Sequence, residues 1–148
     1  MNRALTFYKI SATGNDFILF DNRTALLEGR RDAAFFSRLC RPHTAVGADG
    51  VILLEQSDRA DFRYVHVNSD GSLAEMCGNG SRAVSWFARK LGVVQERASF
   101  EINGHLYHST IQGFTVTTDF IPAGRPMLSI PVIEEPALQV GGLIDTGV

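Results

Sequence analysis

Apolar positions along the chain recur with a period of two in some stretches and of about 3.6 in others, and the alternation between these periods lays out the elements. Residues 5–10 and the short apolar run Phe17-Ile18-Leu19-Phe20 predict two strands. Between them, Ser11-Ala12-Thr13-Gly14-Asn15-Asp16 reads as a turn, since Gly, Asn and Asp suit positive φ and local side-chain hydrogen bonds. Over 32–40, Phe35, Phe36, Leu39 and Cys40 share one helical face, which puts Cys40 inside, and Pro42 ends the helix. A strand follows at 51–54. Residues 61–67 alternate, with Phe62, Tyr64 and His66 on one face and Arg63, Val65 and Val67 on the other, before a turn at Asn68-Ser69-Asp70-Gly71.

A second helix follows the glycine-containing segment Gly78-Asn79-Gly80, which reads as a tight turn. Val84, Phe87, Ala88 and Leu91 form its i, i+3, i+4, i+7 set, Ala83 and Trp86 widen the apolar surface, and Gly92 closes it. A helix apolar over most of its girth needs covering on most sides, as a sheet wrapped around it provides. Strands at 98–102, 105–111 and 114–120, with turns at Asn103-Gly104 and Gln112-Gly113, then read as a β-meander. From Ile121 the pattern changes, because Pro122, Pro126, Pro131 and Pro136 cluster there. The chain thus divides into a packed region 1–121, a Pro-rich extended connection 122–136, and a segment 137–148 that opens something further, with a strand at 138–140.

Composition narrows the classes. A chain of 148 residues can bury one genuine core, and its formal net charge of -2 with no basic run argues against nucleic acid or an anionic membrane as partner. The N-terminus lacks the apolar core of a signal peptide, and no apolar run approaches a membrane span. Two cysteines make no disulfide framework, so a reducing, cytoplasmic setting is expected.

The chemistry concentrates at Cys77, placed beside the start of the second helix. Unpaired backbone N–H groups and the positive end of the helix dipole favour an anion there, so a thiol ionises more readily and a carboxylate can bind. The plain alternative is a small buried hydrophobe, which is how Cys40, inside its apolar stripe, is read. Asn15 is either a turn residue or a polar ligand contact. His43, alone and without metal-ligand spacing, reads as a structural hydrogen-bonder, and no metal site is expected. Gly78-Asn79-Gly80-Ser81-Arg82-Ala83 formally satisfies the dinucleotide fingerprint, but a polar turn precedes it and strands without helices follow, which argues against that fold. There is no P-loop and no serine-nucleophile elbow.

Four segments in this order and spacing, Gly14-Asn15-Asp16-Phe17, Val46-Gly47-Ala48-Asp49-Gly50, Asn68-Ser69-Asp70-Gly71-Ser72 and Met76-Cys77-Gly78-Asn79-Gly80-Ser81-Arg82, resemble the N-terminal half of the diaminopimelate epimerase family. The resemblance implies an α+β fold, a curled, mostly antiparallel sheet wrapped around a central helix, as one lobe of two. Residues 1–121 would be that lobe and 137–148 the start of a second, otherwise absent one. It also implies an isomerase that inverts the α-carbon of LL-diaminopimelate to the meso form for lysine and cell-wall precursor supply, without cofactor. Cys77 would be one of two thiols flanking the α-carbon, one removing its proton while the other returns one to the opposite face. Asn15 and Asn68 would hold the substrate's amino-acid groups, Gly78 and Asn79 its carboxylate, and Phe17 would wall the pocket, with Asp49 in support. The implied partners are a small amino-acid substrate and the missing C-terminal lobe, with a homodimer compatible. Departures from the family pattern are Gly50 where some members carry Gln, Ser11-Ala12-Thr13 where His-Gly-Leu is frequent, and Leu73 where Glu is common.

Two other readings stand beside this one: a racemase of another amino acid, of histidine or proline type, using the same two thiols, and a non-catalytic single-lobe binding module. Asn79 favours the epimerase over proline-racemase relatives, which usually carry His there.

Overall fold

Seven strands curl around one helix. The computed structural model describes residues 4–122, 127–131 and 140–143. Strands β1 (Tyr8–Ala12) and β2 (Asn15–Asp21) form a hairpin whose turn is only Thr13 and Gly14, at φ 53 and 85. Two consecutive positive φ values match the twist of the strands, so the turn expected over six residues shrinks to two. Asn15 and Asp16 therefore open β2 and do not lie in a loop.

Helix α1 (Ala33–Cys40) is capped by Asp32, whose carboxylate accepts from the Phe35 N–H at 2.8 Å. Then come β3 (Gly50–Glu55), β4 (Phe62–Asn68), helix α2 (Gly78–Lys90), and the meander β5 (Arg97–Ile102), β6 (His105–Gln112) and β7 (Thr115–Asp119). The strands lie in chain order across one sheet. Pairings β1–β2, β3–β4, β5–β6 and β6–β7 are antiparallel; β2–β3 and β4–β5 are parallel. Parallel neighbours need a crossover, and the two helices supply one each. Because β2 and β4 run in opposite directions while the chain advances the same way across the sheet, crossovers of one hand put α1 and α2 on opposite faces.

The cores confirm that division. Ile18, Phe20, Val51, Leu53 and Val67 pack with Phe36 and Cys40 of α1. Their neighbours in sequence, Phe17, Leu19, Ile52, Leu54, Phe62 and Tyr64, pack with Val84, Phe87 and Ala88 of α2. β2 and β3 are covered on both faces, which is why they read as continuous apolar runs. In β6 only one face is covered, with only Tyr107, Ser109 and Ile111 buried. Gly92, at φ 74, closes α2 as expected.

Within the Pro-rich stretch, β8 (Met127–Pro131) pairs antiparallel with β9 (Val140–Leu143) in a separate two-stranded sheet. The extended backbone that prolines favour is thus used in part as strand. Residues 123–126, 132–139 and 144–148, which hold most of the expected connection and of the expected opening of a second lobe, lie outside the described residues. No helix among the described residues is long and apolar enough to cross a membrane.

Candidate active site

Cys77 is the N-cap of α2, with φ -122 and ψ 120, and its Sγ accepts the Gly80 N–H at 3.5 Å. The two glycines expected to form a turn before the helix are instead its first turn. Neither has positive φ; both are needed for close approach. A β-carbon at Gly80 would fall on the Tyr64 hydroxyl, and one at Gly78 would lie 2.9 Å from Cζ of Phe120. Gly80 therefore lets the sheet press against the helix start.

A chain of buried hydroxyls fastens the same turn. Ser81 has one proton to donate, to the Gly78 carbonyl at 2.8 Å or to Thr118 Oγ1 at 3.1 Å. Thr118 and Ser109 share a hydrogen bond at 2.9 Å, and Ser85 donates to Ser109 at 3.0 Å. Four hydroxyls from α2, β6 and β7 thus connect in a row that reaches the first carbonyl of the helix.

Cys77 is half-buried and opens on a groove of about 460 Å³ that Asn15, Phe17, Asp49, His66 and Asn68 also line. Three separate strand ends and the helix start meet there. Asp49 orients Asn15: its Oδ2 accepts from Asn15 Nδ2 at 3.0 Å and from the Asp16 N–H at 2.8 Å. Asn15 Oδ1 accepts from Asn79 Nδ2 at 3.1 Å, and Asn79 Oδ1 accepts from Thr13 at 2.7 Å and from Arg82. With its side chain held this way, Asn79 has its backbone N–H, in the first turn of α2, as the donor left for an anion. Asn68 closes β4 and donates from Nδ2 to Ser72 Oγ at 3.1 Å. Leu73, 76% exposed, stands at the rim. The structure thus brings Cys77, Asn15, Phe17 and Asn68 to one groove and sets Gly78 and Asn79 at the helix end beside it.

His66 belongs to the same groove and the sequence reading gave it no role. Its ring is buried, with Nδ1 3.1 Å from the Tyr64 hydroxyl and a T-shaped contact with the Phe17 ring, 5.5 Å between centroids. Burial lowers its pKa to about 4, so the imidazole is neutral at ordinary pH. Burial pushes the Tyr64 phenol well above its usual value, and charge on the neighbouring Cys77 adds to the rise. A signal for His66 existed: counting back by two from Asn68 reaches it on the same strand face.

Other candidates fall away from this place. Cys40 lies on the α1 face, buried as expected. His43 is exposed in a turn at φ 63, and no group of three or more metal-ligating side chains exists among the described residues. A larger groove, of about 600 Å³, runs between the outer strands β1 and β7 over Trp86 of α2. It is mostly apolar and no cysteine lines it, so the thiol chemistry selects the smaller one.

Residues 7–117 match the family profile described as diaminopimelate epimerase. A diaminopimelate epimerase of Aquifex aeolicus is 37% identical over 163 aligned residues, covering 97% of this chain and 55% of the relative. One of Flavobacterium psychrophilum is 41% identical over 107 residues, covering 72% of this chain and 41% of the relative. The chain spans about half the length of the curated relatives it matches. Among solved structures, a hydroxyproline epimerase from Agrobacterium vitis superposes with TM-score 0.67 at 16% identity, over 96% of this chain and 49% of that one. A phenazine biosynthesis protein of the PhzF family from Enterococcus faecalis gives 0.62 at 12%, over 86% and 47%. At such identities these two show the fold alone.

Proposed function

The chain belongs to the diaminopimelate epimerase family, and from that premise we propose that it supplies one wall of an amino-acid epimerase site acting on the α-carbon of diaminopimelate. The observation that carries the reading is the convergence of Cys77, as N-cap of α2, with Asn15, Phe17 and Asn68 on one groove. In this reading the backbone N–H groups of Gly78 and Asn79 hold the α-carboxylate, and Asn15 and Asn68 fix the amino-acid head. Cys77, as thiolate, takes the α-proton: its S–H bond forms as the Cα–H bond breaks, leaving the electron pair on carbon beside the held carboxylate. A second thiol on the opposite side, from another lobe, gives a proton to that pair and inverts the centre. Two groups of one type allow the reaction to run both ways. A cytoplasmic setting, in which both thiols stay reduced, belongs to the same proposal.

The test is a chimaera in which this chain replaces the corresponding lobe of the Aquifex aeolicus relative. Incubated with LL-diaminopimelate in deuterated water, it should place deuterium at the α-carbon and form the meso isomer, whereas the 148-residue chain alone should give no inversion. A folded chimaera inert under conditions where the parent relative exchanges the proton would overturn the assignment, and inversion by the 148-residue chain alone would overturn the two-sided mechanism.

A further inference from the structure

We propose that His66 is a ligand-binding residue of the Cys77 groove, donating its Nε2–H to an oxygen of the amino-acid that binds there. The inference deepens the epimerase reading and rests on the groove being the amino-acid site.

The tautomer follows from proton counting. The Tyr64 hydroxyl is buried against the first turn of α2, and His66 Nδ1 is its one hydrogen-bond partner among the described residues. Were Nδ1 to hold the ring proton, it would donate to the phenol and leave the phenol hydrogen enclosed without an acceptor, which is costly. Tyr64 therefore donates to Nδ1, and the proton of the neutral ring sits on Nε2.

The direction of Nε2 follows from its neighbours. No protein group among the described residues hydrogen-bonds it, yet no fully enclosed side-chain nitrogen or oxygen lacks a partner, so Nε2 reaches solvent. It lies over Gly50, where a β-carbon would be only 2.8 Å from it. Gly50 pairs with Phe17 on one side and Asn68 on the other, and both line the groove. The ring thus fills the space a side chain at position 50 would take, and presents a fixed donor where Asn15, Asn68 and Cys77 converge. Two glycines make room for the pair, Gly80 for Tyr64 and Gly50 for His66. A histidine 94% buried whose second ring nitrogen has no partner among the described residues, beside a polar groove, is arranged for an acceptor from outside the protein.

The experiment uses the 148-residue chain with labelled histidine, titrated with diaminopimelate to millimolar levels while imidazole nitrogens and backbone amides are followed by NMR. Free protein should show a single Nε2–H tautomer, and Tyr64→Phe should turn it into a mixture. Ligand should shift Nε2 together with the amides of Asn15, Asn68 and Asn79. His66→Phe should weaken binding at least tenfold, while His66→Gln, which keeps an N–H near the same place, should stay within about threefold of the parent. Groove amides that respond while Nε2 does not, or unchanged binding by His66→Phe, would overturn the role of His66 and leave the epimerase reading standing. No response from any groove amide would overturn both. Normal Nε2 shifts beside a chimaera that exchanges no α-proton would remove the epimerase reading and keep the binding residue.

Discussion

Cys40 and Cys77 belong to two crossover segments on opposite faces of one sheet, and their surroundings make them different chemical groups. Cys40 ends α1, 4% exposed among Ile18, Phe20 and Val51, where burial pushes its thiol up and the charge of Asp49 adds to the rise. Cys77 precedes α2, half-buried, with its sulfur receiving a backbone N–H and facing a polar groove. The comparison teaches that position along a helix, and what the sheet leaves open beside it, decides what a thiol can do.

Alkylation separates the two most sharply. With iodoacetamide under native conditions, Cys77 should react roughly a hundredfold or more faster than Cys40, because the latter is reached only through opening of the α1 face. Mass mapping of the two peptides checks this, and equal rates would erase the distinction.

Next in size is acid sensitivity on the α2 face. The unfolded chain takes up a proton at His66 from about pH 6.5 downward, while the folded chain excludes it until about 4. Stability should therefore fall as pH drops through that window, by up to about 3 kcal/mol, and level off below it. Urea unfolding at several pH values should show the slope in the parent and not in His66→Phe. Carboxylates held low by their partners, such as Asp21 with Arg23, lose their contribution only at lower pH.

Gly80→Ala tests the close approach of sheet and helix. The new methyl must displace Tyr64 from its bond to His66, costing on the order of 2 kcal/mol, whereas Gly78→Ala need only move the half-exposed Phe120 and should cost less. Equal unfolding midpoints for the two variants would contradict this difference. The smallest effect is expected for Asp49→Asn, which weakens an acceptor shared by Asn15 and the Asp16 N–H and should cost about 1 kcal/mol. Its clearer mark should be displaced Asn15 and Asn79 resonances, while those of α1 stay in place.

Much of this arrangement is legible in the residues. The 3.6 period marks α1 and the inner face of α2, the period of two marks β4 and the meander, and Pro42 and Gly92 end the helices where expected. The misreadings have a common cause. Gly78 and Gly80 look like turn formers locally, yet tertiary neighbours, Phe120 and Tyr64, require them inside a helix. Asn15 looks like a loop residue because a two-residue turn needs fewer positions than the polar stretch offers. The groove itself joins β2, β3, β4 and α2 from distant parts of the chain, so spacing could suggest Cys77 and put His66 on the strand face of Asn68, but not give His66 its role, which depends on Gly50 leaving its space empty.

The most direct measurement is α-proton exchange from LL-diaminopimelate in deuterated water by the chimaera carrying Cys77→Ser or Cys40→Ser. Loss of exchange by about a thousandfold in the first, with the second within a few fold of the parent, is the expected result. Exchange at the parent rate with Cys77→Ser, or its loss with a folded Cys40→Ser, would contradict the assignment of the chemistry to the thiol at the start of α2.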